Sequence, residues 1–427
     1  MNKMKKLWME HFPEELQQKI SEVERQIEPQ IAEIEQRQLY NQGRVLNCFK
    51  AHRVAEEDLV GSTGYGYDDI GREKLDAIYA DYFQSDDAIV KPQIMSGTHA
   101  ITTAFFAVLR PQDKLFYLTG MPYDTIQHVI GIAGNEPGTL KDFQINFDYQ
   151  PLLEDGEVDY EQAIKKLQDP AIKMVALQRS RGYAVRKSFT IEQLKKMIEF
   201  IRRIRTDVVI FVDNCYGEFS EIHEPTEYGA DLMAGSLYKN AGGGIAKTGG
   251  YLVGRKDLIH LAGNRLNSPG SGKNEGATIG HLRDMYQGFF IAPHVTGEAI
   301  KGAIFASALL EKIGLKVSPR WNDPRTDLVQ TVELGSPEKM AQFCAAIQHF
   351  SPVNAFVDPI ASQMGGYEDQ EIMASGSFTE GSTIELSCDG PIRPPYALYI
   401  QGGLTFEHVK VAISNAINET FFKNKNM

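Results

Sequence analysis

The chain has 427 residues, with 44 Lys and Arg against 56 Asp and Glu, a formal net charge of −12. An apolar share of 42% and a charged share of 23% are those of a globular protein, and the acidic balance speaks against nucleic acid and anionic membrane surfaces, which are bound through clustered cations. No apolar run reaches the roughly 18 residues of a membrane span, and the lysines near Met1 are not followed by the apolar core of a secretory signal.

Four scattered cysteines, Cys48, Cys215, Cys344 and Cys388, form neither a disulfide scaffold nor a zinc pattern. A reduced, cytoplasmic protein of two or three domains is the expectation. In chain order, apolar residues at Leu16, Ile20, Val23, Ile27, Ile31 and Ile34 recur in steps of three and four. They predict an amphipathic helix between Glu14 and Leu39, kinked or divided at Pro29. Such a helix is either an arm that docks on a partner subunit or a helix folded on its own domain.

From about residue 70 onward, short apolar runs alternate with helical stretches. Leu115 to Leu118, Met174 to Leu177, Val208 to Val212, Met233 to Leu237 and Tyr251 to Val253 read as buried strands, and Pro92 to Met95 as strand-like. Thr98 to Leu109 and Ile191 to Arg205 read as helices. This alternation predicts a mainly parallel sheet covered on both faces, with its ligand at the carboxyl ends of the strands. Gly263 to Gly276 reads as a loop, and a helix follows through Glu298 to Lys312. Beyond it, strand-like Leu328 to Leu334 and Thr383 to Ser387, with helices near Pro337 to Gln348 and Thr405 to Asn418, suggest a smaller α+β domain. The predicted organisation is an N-terminal helical arm (1–60), a large α/β domain (61–300) and a small C-terminal domain (301–427).

Familiar motifs are absent. Ala241 to Thr248 and Asn267 to Asn274 approach a P-loop but lack required residues. No dinucleotide fingerprint, HExxH or GxSxG appears. Four features instead make chemical sense together. Ser96-Gly97-Thr98-His99-Ala100 opens an apolar helix and can present backbone N–H groups to a phosphate, or serve as an ordinary cap. Asp213 ends the most apolar strand, and Lys239 stands hard against Gly242-Gly243-Gly244 after another. Arg393 lies in the C-terminal domain. A lysine able to form a Schiff base, a carboxylate to keep a pyridine nitrogen protonated, an anion cradle and an arginine fork for a carboxylate are what pyridoxal 5'-phosphate chemistry on an amino acid requires.

On these residues the sequence resembles the fold-type-I pyridoxal-phosphate enzymes of cysteine and methionine metabolism. It is most similar to the branch called aluminium resistance proteins, akin to cystathionine β-lyase and methionine γ-lyase. The likeness runs from Gly61-Ser62-Thr63-Gly64-Tyr65-Gly66-Tyr67 to Tyr399-Ile400-Gln401-Gly402-Gly403. It is most specific at Gly120 to Thr125, Val212 to Glu218, Ser236 to Gly244 and Ala292 to Val295.

The resemblance implies a fold-type-I architecture, a seven-stranded and mainly parallel sheet with a smaller α+β C-terminal domain. It makes Lys239 the Schiff-base lysine and proton carrier, and Asp213 the partner of the pyridine nitrogen. Gly97, Thr98 and Ser236 become phosphate ligands, and Arg393 the anchor of the substrate carboxylate. Tyr123 would stack on the cofactor ring and act as an acid, or be simply a packed aromatic. Tyr65 would reach the phosphate of a neighbouring subunit in a homodimer or homotetramer.

The implied function is a carbon–sulfur lyase of a small sulfur-containing amino acid. An aminotransferase and a non-catalytic binding protein are the alternatives. Two departures stand out. Tyr67 occupies the place of the family's usual arginine, with Arg72 as a candidate replacement, and Gln178 to Tyr183 replaces the usual Asn-Pro segment. Cys215 reads as buried under the cofactor or as a redox centre, and Gly242 to Gly244 as flexible or as a close approach to a ligand.

Overall fold

The structure of the protein, a computed structural model, describes residues 7–184, 186–363 and 369–423. It divides into two compact units, Leu39–Pro293 and the chain's two ends together, Met1–Gln38 with His294–Met427. Among the described residues no helix is long and apolar enough to cross a membrane.

The predicted N-terminal helix is two helices, α1 (Glu14–Gln26) and α2 (Glu28–Ala51). The chain breaks at Ile27, which leaves Pro29 in the first turn of α2, where its missing N–H costs no helical bond. α1 buries Leu16, Ile20 and Val23. Its polar side is tied down by Glu22 to Lys312 at 2.8 Å and by Glu24 to Lys410. All these partners belong to its own unit, so within a single copy this helix folds on its own chain.

The Leu39–Pro293 unit holds α3 (Ile70–Tyr82), β1 (Asp87–Lys91), α4 (Gly97–Val108), β2 (Lys114–Tyr117), α5 (Asp124–Ile130) and β3 (Asn146–Tyr149). It continues with α6 (Tyr160–Leu167), β4 (Ile172–Gln178), α7 (Ile191–Ile204), β5 (Val209–Asp213), β6 (Leu232–Ser236), β7 (Gly250–Gly254) and α8 (Lys256–Leu266). α9 (Leu282–Lys312) begins here and runs on into the other unit. The seven strands form one sheet in the order β1-β7-β6-β5-β4-β2-β3. β7 runs opposite to the other six strands, antiparallel to β1 and β6, and the remaining pairs are parallel.

Side chains alternate across this sheet. Val90, Phe116, Val175, Val212, Met233 and Val253 enter a core shared with α3, α6, α7 and the start of α9. Ile89, Leu115, Ala176, Phe211, Ala234 and Leu252 enter a second core, shared with α4, α5 and α8. Burial on both faces is why the strands read as unbroken apolar runs.

The second unit carries β8 (Lys316–Ser318), β9 (Gln330–Glu333), α10 (Pro337–His349), β10 (Ser362–Gln363), β11 (Gln370–Ala374), β12 (Ser387–Pro391), β13 (Ala397–Gln401) and α11 (Phe406–Ile417). Its strands make an antiparallel sheet in the order β10-β11-β12-β13-β9-β8.

Two expectations are corrected. Pro92 to Met95 is a turn, because the ladder with β7 is made by Asp87 to Lys91 and Pro92 has no N–H to extend it. Thr383 to Leu386 is loop: the Thr383 hydroxyl takes the Glu385 N–H at 3.1 Å and the Glu385 carboxylate takes those of Phe378 and Thr379. Such local side-chain bonds compete with a ladder, and the strand starts only at Ser387. The helix expected through Glu298 to Lys312 is α9, which begins at Leu282 and carries Pro293 within it.

Candidate active site

At the carboxyl edge of the large sheet, Gln178 on β4, Asp213 on β5 and Ala234 on β6 lie side by side in register. By the period of two, Gln178, Asp213 and Ser236 share the face that α4 covers. The Asp213 Oδ1 accepts the Cys215 N–H at 3.1 Å. Burial pushes its carboxyl above the ordinary range, while the nearby Lys239 pulls the other way. The Gln178 side chain accepts the Tyr123 N–H at 2.8 Å and donates to the Ser180 carbonyl at 2.9 Å, joining the end of β4 to the start of α5.

α4 opens against this edge. Ser96 caps it by accepting the His99 N–H at 3.0 Å, and Gly97 and Thr98, its first two residues, have no helical acceptor for their N–H groups. A Cβ on Gly97 would stand 3.0 Å from the Cys215 Sγ and 3.5 Å from the Ser236 Cβ, so the helix start is tucked between the turn after β5 and the end of β6. The Thr98 hydroxyl lies 2.9 Å from that of Thr125, and the buried Ser236 hydroxyl accepts the Tyr238 N–H at 3.2 Å.

Lys239 follows β6 on a fixed backbone. Its N–H donates to Ser236 at 3.3 Å and its carbonyl accepts from Gly242 at 3.2 Å. The half-buried side chain carries its Nζ over the ring of Tyr216, 4.0 Å from the centroid. Burial opposes the ammonium, yet Cys215, Tyr216, Asp213 and Glu218 together hold its proton more firmly than usual.

Tyr216 is presented by a turn built around Arg179. That fully buried guanidinium donates to the Asn214 Oδ1 at 2.9 Å, the Gly217 carbonyl at 3.0 Å, the Ser220 hydroxyl at 3.3 Å and the Glu221 carboxylate at 2.6 Å. Gly217 has no room for a side chain, since a Cβ there would meet the Arg179 Cδ at 2.5 Å. Tyr216 itself takes a φ of 69°, which aromatic residues rarely adopt. Sequence reasoning assigned no role to Tyr216 or Arg179. The only available signal was an aromatic residue beside Asp213 in a stretch already marked as specific.

The other expected residues stand as follows. Tyr123 precedes α5, with its ring 5.8 Å from that of Tyr183 and close over Gly182, where a Cβ would meet the Tyr123 Cδ2 at 2.5 Å. Tyr65 is 71% exposed and stacks on Tyr67 at 5.4 Å. Arg72 is bound into the fold: its buried guanidinium donates to the carbonyls of Gly66 (2.7 Å), Gly276 (2.9 Å) and Asn274 (2.8 Å), fixing the loop that carries Tyr65. The candidate replacement for the family's arginine is thus engaged with backbone carbonyls.

The triple glycine is also corrected. Gly242 packs on the Leu237 carbonyl and Gly243, at φ 58°, on that of Gly288, so the close approach is to the protein's own backbone. Cys215 is buried beside Gly97, and burial pushes its thiol far up, away from the reactive thiolate of a redox centre. Arg393 belongs to the other unit, half-exposed and paired with Asp369 at 2.6 Å.

Within Leu39–Pro293 the structure therefore brings together Gly97, Thr98, Asp213, Ser236 and Lys239. Two helical N–H groups and a buried hydroxyl suit a phosphate, and an amine on a ring face beside a buried carboxylate suits a pyridine aldehyde. This donor set fits pyridoxal phosphate. Among the described residues, no group of three or more His, Cys, Asp or Glu is placed to hold a metal ion.

Comparison with known proteins agrees with this geometry. The family described as Methionine gamma-lyase matches residues 16–421. A solved Listeria monocytogenes protein, named as a proposed cystathionine beta-lyase involved in aluminum resistance, is 52% identical with a TM-score of 0.92, over 95% of this chain and all of that one. A carbon-sulfur lyase involved in aluminum resistance from Clostridium novyi is 43% identical with a TM-score of 0.93, over 98% of this chain and 99% of that one. The pyridoxal-5'-phosphate-dependent protein YhfS of Escherichia coli, at 18% identity and a TM-score of 0.58 over 90% of this chain and 95% of that one, shares the fold. With almost its whole length matched, the chain belongs to the methionine gamma-lyase family.

Proposed function

We propose that the protein is a pyridoxal-phosphate-dependent carbon–sulfur lyase that eliminates a thiol from a sulfur-containing amino acid, giving ammonia and a 2-keto acid. The observation that carries this reading is the Lys239 amine lying on a ring face beside the buried Asp213. Bound at this edge, pyridoxal phosphate would supply an aldehyde to carry the amino acid and an electron-poor ring to take up charge from Cα.

The residues around it have defined tasks. The N–H groups of Gly97 and Thr98, with the Ser236 hydroxyl, hold a phosphate at the start of α4. Asp213 keeps a proton on the ring nitrogen, and Tyr123 covers the ring. Lys239 takes the proton from Cα, and Tyr123 can give one to the departing sulfur. Arg393 is the proposed anchor for the substrate carboxylate, in exchange for Asp369. Tyr65, exposed on a loop that Arg72 makes rigid, suits a contact with the phosphate site of a second copy in a dimer or tetramer.

The test is the keto acid released from cystathionine, cysteine, methionine and homocysteine by cofactor-loaded protein with no acceptor added. Pyruvate from cystathionine marks β-elimination and 2-oxobutyrate marks γ-elimination. Product that forms only when a second keto acid is supplied would replace the lyase with an aminotransferase.

A further inference from the structure

The turn after β5 raises a question that the proposed reaction does not answer. A lysine that carries a cofactor must release it to each incoming substrate, and its amine then needs a place to stay. Lys239 has a fixed backbone but four rotatable side-chain bonds, so something other than the main chain must keep the free amine in range. Among the described residues its Nζ makes no hydrogen bond or ion pair, and the group it lies on is the Tyr216 ring, 4.0 Å from the centroid.

That ring is held there at a cost. A φ of 69° is a backbone conformation that bulky side chains avoid, and it persists only where surrounding structure imposes it. Here the surroundings are the Arg179 clamp on Asn214 and Gly217, the Gly217 N–H to the Asn214 carbonyl at 2.8 Å, and the Asn214 N–H to Ala234 at 3.1 Å. Arg179 makes further bonds to Ser220 and Glu221 and lies 3.6 Å from the Glu224 carboxylate. A buried arginine, a glycine without room for a Cβ and a left-handed tyrosine thus all serve one placement.

We propose that Tyr216 is the positioning residue of the Lys239 amine: its ring face is where that amine rests as an ammonium, in the cofactor-free protein and again once it has taken up the Cα proton. The inference rests on Lys239 being the lysine that carries the cofactor. The charged and titratable groups that face this amine are Asp213 at the end of β5 and Cys215, Tyr216 and Glu218 on the turn. Tyr216 is the one of them that also offers a ring face, with the amine 4.0 Å from its centroid. A desolvated ammonium over an aromatic face gains enough to change the fraction of free amine by about tenfold, or about one pH unit.

The test follows uptake of pyridoxal phosphate by cofactor-free, full-length protein across pH, through the visible absorbance of the lysine-bound cofactor. Uptake needs the uncharged amine, so it rises with pH. In Tyr216→Leu the ammonium loses its platform, and the midpoint is expected to fall by about one unit. Tyr216→Phe keeps the face and is expected to match the parent.

A Leu variant with the parent's midpoint overturns the proposal. So does a Phe variant displaced as far as the Leu one, which would make the hydroxyl the active part. If Tyr216→Leu does not fold, a ring-fluorinated phenylalanine at 216, similar in shape but with a weaker face, gives the same two outcomes. Lys239→Ala separates the underlying reading: a lysine-type band in that variant would show that another lysine carries the cofactor.

Discussion

Two lysines in the Leu39–Pro293 unit stand near the carboxyl edge of the same sheet, and their surroundings push them in opposite directions. Lys91 ends β1 and is 2% exposed. Burial first, then the neighbouring Arg72 and Lys273, bring its ammonium down to about 8, although Asp76 and Glu275 oppose them. Its amine donates to the Glu275 carbonyl. Lys239 feels burial too, but its neighbours Cys215, Tyr216, Asp213 and Glu218 reverse the direction. One amine is bonded into the fold, and the other rests on a ring. Burial of a lysine therefore does not mark a reactive site; the sign of its neighbours and the lack of a committed acceptor do.

Exchanging the two lysines in turn is the strongest way to break this contrast. Lys239→Ala is expected to lower keto-acid release by about a thousandfold or more, the upper part of what a positioned proton carrier contributes. Lys91→Met should leave turnover per folded site within about threefold while lowering stability by about 1–3 kcal/mol, through the lost bond to Glu275. Denaturant unfolding and initial rates read the two effects separately. Equal loss of turnover in both variants would end the distinction between a structural and a reactive lysine.

Asp213→Asn sharpens the same contrast from the anion's side. Turnover should fall by about a hundredfold, since a neutral amide cannot hold a proton on the ring nitrogen. The fold should respond in the opposite direction. A carboxyl whose pKa is raised by folding destabilises the protein wherever the unfolded chain ionises it first. Removing that charge at neutral pH is expected to raise the melting temperature of cofactor-free protein by about 1–3 °C. A lower melting temperature would mean that Asp213 is held by more favourable contacts than its burial suggests.

The parts of this arrangement that could be read from the sequence are those carried by pattern. Val209 to Asp213 and Leu232 to Ser236 are buried on both faces, so they appear as apolar runs with a polar residue at the end. That residue is where a parallel sheet puts its ligands. The α4 start was legible for a related reason, a cap and a glycine directly before an apolar helix.

What pattern cannot carry is where a long side chain goes. Arg72 and Arg179 look like surface charges in the sequence, yet both are fully buried on backbone carbonyls of distant segments. The glycines after Lys239 were read for a ligand because a missing Cβ signals close approach without saying to what. Tyr216 was invisible as a functional residue because its role depends on a φ that no neighbouring residue type announces. The small unit was harder still: Glu385 and Thr383 spend their side chains on local N–H groups and turn a strand-like run into loop.

Glu218 offers the smallest effect and the finest probe of the charges around Lys239. It is fully buried, its Oε1 accepts the Tyr251 hydroxyl at 2.6 Å, and its Oε2 has no hydrogen-bond partner among the described residues. Burial is the largest influence on it and pushes its pKa from 4.5 up to about 8, against the Tyr251 bond and the pull of Lys239. Between those two values the folded protein keeps a proton that the unfolded chain has lost, so stability falls as pH rises through the window and levels off above it. Glu224, raised to about 7 by burial, contributes with the same sign. Glu218→Gln keeps the acceptor and the volume but cannot ionise. Its melting temperature should therefore fall less between pH 5 and pH 9 than the parent's, by about 2–4 °C. If the two slopes coincide, Glu218 is ionised throughout that range, and the charge opposite the Lys239 ammonium is a permanent carboxylate rather than one that forms only as the pH climbs.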